Sequence, residues 1–208
     1  MAQRVLIEVA SDVICPWCYI GKRRLEKALE LAKDGLAVEI RWLPFQLNPD
    51  MPPSGMPRAE YRKAKFGSIE RGRQLDARVA GEGRGEGIEF AFERMQRTPN
   101  TVAAHQLIEL AQKQGLAGPV VDALFRSYFE QAEDIGDEGV LRRIAEAAGV
   151  REWPQGRDPK QVAALEASVR GLGISAVPTF IFDRKFGVSG AHPPDALVAA
   201  IREAATTA

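Results

Sequence analysis

The tightest constraint on this chain lies between residues 5 and 43. A short apolar run, Val5-Leu-Ile-Glu-Val9, ends at Ser11-Asp12 and leads at once into Cys15-Pro-Trp-Cys18. Its length, its β-branched residues and the turn that bounds it mark a buried strand. Pro16 suits the first turn of a helix, where its missing N–H costs nothing. From there Ile20, Leu25, Ala28, Leu29 and Ala32 recur at helical spacing as far as Gly35, a C-terminal stop. Residues Ala37 to Leu43 alternate as a second strand. The chain therefore opens β-α-β, with both of its cysteines at the first strand-to-helix junction.

The prolines of Asn48 to Pro57 spell a linker. From there to about Arg170 the pattern is helical, in segments near 58–80, 99–114, 118–132, 137–148 and 159–171. Asp137 and Asp158 serve as N-caps, Pro159 as a first helical residue, and Gly115 and Gly149 as stops. Gly81-Glu-Gly-Arg-Gly-Glu-Gly87 divides the first two segments. It lacks the Gly-Lys-Ser/Thr ending and the preceding strand of a phosphate loop, so a flexible connector is expected. Strand character returns in Thr179 to Phe182 and Lys185 to Ser189, a hairpin around Asp183-Arg184. A last helix runs from Asp195 to about Ala205. This layout predicts an α/β fold: a small sheet core from residues 1–47 and 172–208, with 48–171 as a helical insertion.

Composition excludes several partners. Lysine plus arginine equals aspartate plus glutamate at 28 each, which favours neither nucleic acid nor an anionic membrane. No apolar run reaches the roughly 18 residues of a membrane span. The first apolar stretch is broken by Glu8, lacks the centre and cleavage site of a secretory signal, and is followed closely by the cysteines. A cytoplasmic, reducing location is expected, where a lone close-spaced cysteine pair is redox-active or metal-binding more often than structural.

A zinc site needs about four ligands. Beyond the cysteines the chain has only His105 and His192, so metal is disfavoured. A disulfide across four residues closes almost no loop and makes a poor staple. The redox alternative has a mechanism: if Pro16 starts a helix, Cys15 meets its unpaired N–H groups, which favour a thiolate. Cys18, about one turn on, can then resolve a mixed disulfide. Far along the chain, Ser175-Ala-Val-Pro-Thr-Phe180 puts Pro178 just before a strand. Alone, that proline is an ordinary strand-start residue. Beside a C-x-x-C, a cis Val177–Pro178 bond is the better expectation, leaving the Val177 backbone free to align an extended peptide.

These residues resemble the thioredoxin superfamily, in its DsbA-like branch, and within that the cytoplasmic FrnE-like group. The likeness rests on Ser11-Asp12 ahead of Cys15 to Gly21, on Trp42-x-Pro44-Phe45-x-Leu47-Asn48-Pro49, and on Asn100-Thr-x-x-Ala-His105. Val177-Pro178 and Ser189-Gly-Ala-x-Pro-Pro194 complete it, so that it spans residues 5 to 202. It implies a thioredoxin fold with a helical insertion and a dithiol–disulfide activity on protein substrates. Cys15 is then the attacking thiol, Cys18 the resolving thiol and Pro178 the cis-proline, with Val177, Pro16 and Trp17 against substrate. Neither metal nor organic cofactor is needed, although glutathione remains a candidate co-substrate. The chain departs from the group at Ala176, where many relatives have Gly. Trp17 also stands where the periplasmic oxidase has His. Without that cation the couple should be less oxidising, between the roughly −120 mV of DsbA and −270 mV of thioredoxin.

His105 lies off the apolar stripe of its helix and reads as a solvated surface residue. The competing expectation is that the insertion folds over the sheet and carries it towards Cys15. Residues 58–84 hold eight basic and four acidic side chains, a solvated face or, more weakly, an anionic docking surface. Trp17, Tyr19, Trp42 and Phe45 are candidates for an apolar groove, although Trp42 and Tyr19 serve as easily as core residues and Trp17 is the one expected to be exposed. Two rival functions remain. One is a glutathione-dependent isomerase or transferase of the 2-hydroxychromene-2-carboxylate isomerase or kappa type, whose members usually carry Ser at the position of Cys15. The other is a chaperone-like binder. The chain itself does not choose between monomer and homodimer.

Overall fold

The computed structural model describes residues 3–33 and 35–206. Strand β1 (Gln3–Ser11) leads into helix α1 (Pro16–Ala32) and strand β2 (Leu36–Pro44). A two-residue strand, β3 (Met56–Pro57), precedes α2 (Arg58–Phe66) and α3 (Ile69–Gly85). A 3-10 turn (Phe92–Arg94) and the short β4 (Arg97–Thr98) come next. Then follow α4 (Val102–Lys113), α5 (Ala117–Phe129), α6 (Glu138–Ala148) and α7 (Pro159–Gly171). Strands β5 (Thr179–Phe182) and β6 (Phe186–Ser189) and helix α8 (Pro194–Thr206) close the chain.

The main sheet has the order β2-β1-β5-β6. Strand β1 runs parallel to β2, pairing Ile7 with Ile40 and Val9 with Trp42, and antiparallel to β5, pairing Ile7 with Phe182 and Val9 with Phe180. A strand paired on both sides needs apolar residues on both faces; Val5, Ile7 and Val9 supply one face, and Leu6 and Ala10, interrupted by Glu8, the other. Val5, Ile7 and Val9 share one face by the two-residue period. They join the core with Leu25 and Ala28 of α1 and Leu197 and Ile201 of α8. Ala10, on the other face, clusters with Phe45 and with Val169 of α7.

The β5–β6 turn is locked to β1. The Leu6 N–H donates to Asp183 Oδ1 at 2.7 Å, and Arg184 reaches the buried Glu8 with Nε at 3.0 Å and an Nη at 2.9 Å. No described helix is long and apolar enough to cross a membrane.

The insertion departs from expectation twice. The helix expected over 58–80 is two helices: Gly67, at φ 85°, ends α2, and Ser68 restarts the chain by accepting the Arg71 N–H at 3.1 Å. The glycine-rich segment is largely helix rather than connector, since α3 continues to Gly85. Gly83 is there for close approach, because a Cβ on it would lie 2.4 Å from the Phe90 ring. Asp137 caps α6 at 3.0 Å, Asp158 caps α7 at 3.0 Å, and Gly149 ends α6 in the left-handed region, all as expected.

Candidate active site

Cys15 is the N-cap of α1, extended at φ −90° and ψ 112°, with Pro16 as the first helical residue. The Cys15 N–H donates to Asp12 O at 3.0 Å. Its carbonyl accepts from the N–H groups of Cys18 and Tyr19 at 3.0 and 3.3 Å. The sulfur therefore sits at the end of a 17-residue helix, where first-turn N–H groups lack intrahelical acceptors. Cys18 lies deeper, 2% exposed. Burial pushes its thiol well above the ordinary range, and the neighbouring Cys15 pushes it the same way. Cys15, itself 4% exposed, lines the groove described below, whereas Cys18 does not reach it.

The wall opposite is the loop before β5. The Val177–Pro178 bond is cis, and Cys15 Sγ donates to Val177 O at 3.7 Å. Among the described residues, no partner is recorded for the Val177 N–H. The loop is pinned by Gly190 N–H to Pro178 O at 2.7 Å and by Thr179 Oγ1 to Ala176 O at 2.8 Å. Gly21 lets α1 approach this wall: a Cβ there would stand 2.9 Å from Pro178 Cγ and 3.2 Å from Phe180 Cζ. Ala176 itself is exposed.

His105 is 3% exposed, so the solvated-surface expectation fails. Its helix α4 is packed by β2, α5, α6 and α7, which leaves no solvent face at that position. His105 Nε2 lies 3.3 Å from Asp12 Oδ1, and Asp12 Oδ2 accepts the Leu47 N–H at 2.8 Å. Asp12 is wholly buried and was not singled out for a role by sequence reasoning. It ties the loop bearing Cys15 to the exit of β2 and to the insertion. The signal was present in the co-occurrence of Ser11-Asp12, Leu47-Asn48 and Ala104-His105.

Among the groove aromatics, Tyr19 and Trp42 follow their core alternative, and Phe45 departs from expectation by leaving the groove. Tyr19 is fully buried, stacked on Phe125 with ring centroids 5.0 Å apart, and its hydroxyl bonds to Glu130. Trp42 is core, and Phe45 packs below Arg170, 4.2 Å from the ring centroid. Of the four aromatics only Trp17 lines the groove beside Cys15, and it is half-buried. That groove encloses about 450 Å³ and is completed by residues of α2 and α3. A larger cavity of about 790 Å³ lies between α4, α7 and the β5–β6 hairpin; it includes neither cysteine, so the chemistry points to the smaller one. Among the described residues no three His, Cys, Asp or Glu side chains gather into a metal-sized cluster.

Comparison with known proteins agrees with this geometry. A family model for the DSBA-like thioredoxin domain matches residues 6–202. The uncharacterized protein YwbO of Bacillus subtilis (strain 168) is 27% identical over 184 residues, covering 85% of this chain and 86% of that one. The crystal structure of a probable DsbA oxidoreductase from Streptomyces coelicolor superposes with a TM-score of 0.86 at 30% identity, covering 96% of this chain and 89% of the other. The cytosolic disulfide reductase DsbM from Pseudomonas aeruginosa shares the fold, with a TM-score of 0.68 at 17% identity over 98% of this chain and all of that one. The chain belongs to the DSBA-like thioredoxin domain family.

Proposed function

We propose that the protein is a thiol–disulfide oxidoreductase acting on protein substrates through Cys15 and Cys18. The observation that carries this reading is the placement of Cys15 at the N-cap of α1, facing the Val177 backbone across a groove, with Cys18 buried behind it. The Cys15 thiolate attacks one sulfur of a substrate disulfide, forms a mixed disulfide and releases the other substrate sulfur as a thiolate. Cys18, once deprotonated, attacks Cys15 Sγ and displaces the remaining substrate sulfur. Two electrons pass to the substrate, and the chain is left with a Cys15–Cys18 disulfide. Run backwards, the same steps oxidise a client dithiol. A low-molecular-weight thiol such as glutathione, or a partner dithiol, closes the cycle.

Within this reading Pro178 and Val177 form the docking wall, and an extended client pairs with the Val177 N–H as an added strand. Pro16 and Trp17 form the near lip of the groove. His105 is a positioning residue: it holds Asp12, and Asp12 holds the loop that carries Cys15. In a His105→Ala variant the pH profile of Cys15 alkylation should move, and an unmoved profile would remove that role. A cytoplasmic, FrnE-like protein is part of the proposal.

The test is a trapping experiment. A Cys18→Ser variant should accumulate mixed disulfides through Cys15 in cells, releasable by reductant, while Cys15→Ser accumulates none. An empty trap contradicts the protein-substrate reading. Glutathione-dependent turnover that survives Cys18→Ala would favour the isomerase or transferase rival instead.

A further inference from the structure

The groove beside Cys15 holds a charge excess that disulfide exchange alone does not require. Arg58, Arg62, Lys65 and Arg78 line it against a single carboxylate, Asp76. That carboxylate is already shared, with Arg58 at 3.2 Å and Arg62 at 2.7 Å. Its two oxygens are thus each engaged by a guanidinium, and this partly buried trio has no anion to spare for its neighbours. Lys65 and Arg78 are both exposed. Among the described residues Lys65 meets neutral groups, Asn48 Oδ1 at 2.8 Å and the Tyr61 ring at 5.3 Å. Among the described residues no carboxylate is recorded against Arg78. Most of the remaining lining is apolar, including Ile14, Leu47, Phe66, Val79 and Phe92. An occupant that covers the apolar floor and brings carboxylates to its rim is favoured on both counts.

We propose that this groove docks an extended segment of a protein client whose disulfide cysteine is flanked by apolar and acidic residues. The apolar side chain seats by Trp17 and the carboxylates reach Lys65 and Arg78. This rests on the exchange reaction proposed above and narrows its substrate class. A peptide suits the site because the lining runs continuously from Val177 and Cys15 on one wall to α2 and α3 on the other. A single extended chain can use the Val177 N–H at one end and the cations at the other.

The test uses the reduced full-length protein and short synthetic peptides, each holding one cysteine in disulfide linkage to a chromophoric thiol next to a phenylalanine. The peptides differ only in two flanking residues, Glu, Gln or Lys. The Glu peptide should react about tenfold faster than the Gln peptide, or about 1.4 kcal/mol, and the Lys peptide more slowly than either. The advantage should shrink in 1 M salt, where the screening length falls to about 3 Å. A K65Q/R78Q variant, altered at two exposed side chains, should lose most of it, and Arg73→Gln, exposed on α3 away from the groove, should keep it. Equal rates for the three peptides, or an advantage that survives K65Q/R78Q, overturns the acidic-client proposal and leaves the exchange reaction standing. No reaction with any peptide overturns both. If glutathione disulfide outpaces the Glu peptide and shows the same dependence on Lys65 and Arg78, the groove serves that tripeptide and the protein-client proposal falls.

Discussion

Gly21→Ala tests how closely α1 and the Pro178 wall are fitted. In an open helix interior, alanine is favoured over glycine by about 1 kcal/mol. Here the added Cβ would lie 2.9 Å from Pro178 Cγ and 3.2 Å from Phe180 Cζ. Neither neighbour can swing aside, because one is part of a proline ring and the other caps a fully buried phenylalanine. Overpacking of this kind costs about 1–3 kcal/mol, which outweighs the propensity gain and leaves a net loss of about 1 kcal/mol. For a domain of this size that corresponds to about 3 °C in Tm. Relief must come by moving α1 off the Pro178 loop, which widens the gap between Cys15 Sγ and Val177 O and slows mixed-disulfide formation. Gly81→Ala is the control, since only the end of Arg84 approaches that site, at 3.9 Å, and alanine there should stabilise. Melting curves and stopped-flow exchange with a model disulfide read both effects. If Gly21→Ala matches Gly81→Ala in stability and exchanges at the unaltered rate, the argument from close approach is refuted.

Asp12→Ala strands the half-buried Leu47 N–H and the buried His105 ring, and each unsatisfied group costs about 1–3 kcal/mol. Denaturant titration should therefore show a loss of about 3 kcal/mol, and a loss under 1 would mean that Asp12 is not the tie described. Cys18 gives a pH signature. As pH rises past the ordinary thiol value near 9.0, the unfolded chain releases this proton while the folded chain keeps it, so the reduced protein loses stability. Cys18→Ala should flatten the onset of that loss between 9.0 and 10.0, before Tyr19 and Tyr128, both raised above their ordinary 10.0, begin to contribute. Glu86 acts at the other end. Against its own burial, Lys27 at 2.6 Å and Arg24 at 2.7 Å hold it below its usual 4.5. Stability from this bridge between α1 and the end of α3 is present above that value and lost as pH falls through the lowered one. Glu86→Gln should remove it at neutral pH, and an unchanged acid-unfolding profile in that variant would contradict the assignment.

What was legible in the sequence is what local chemistry decides. The strand, the N-cap cysteine and Pro16 lie within a few residues, and the caps Asp137 and Asp158 need only their own first turns. The hairpin at Asp183 was legible for the same reason, although its docking on Leu6 and Glu8 was not. Misreadings fall where a second layer of packing acts. His105 is off the main stripe of α4, but α4 has neighbours on several sides, and periodicity registers only one buried face. Gly83 looked like a loop residue because its reason, the Phe90 ring, comes from the chain that folds back after α3. Asp12 stands beside the cysteine motif in the chain, but its partners Leu47 and His105 are joined to it by the fold alone. The cations of the groove were counted in the sequence, but their convergence beside Cys15 depends on how α2 and α3 return to the sheet.

The central claim is a reversible two-electron couple between Cys15 and Cys18, with Trp17 in place of a cationic neighbour. Equilibration of the protein in glutathione redox buffers, read by the fraction of free Cys15 and Cys18 thiols, measures it directly. The account predicts a single two-electron transition between roughly −120 and −270 mV. A value at the DsbA end would contradict the role given to Trp17, and the absence of any reversible Cys15–Cys18 transition would contradict the account itself.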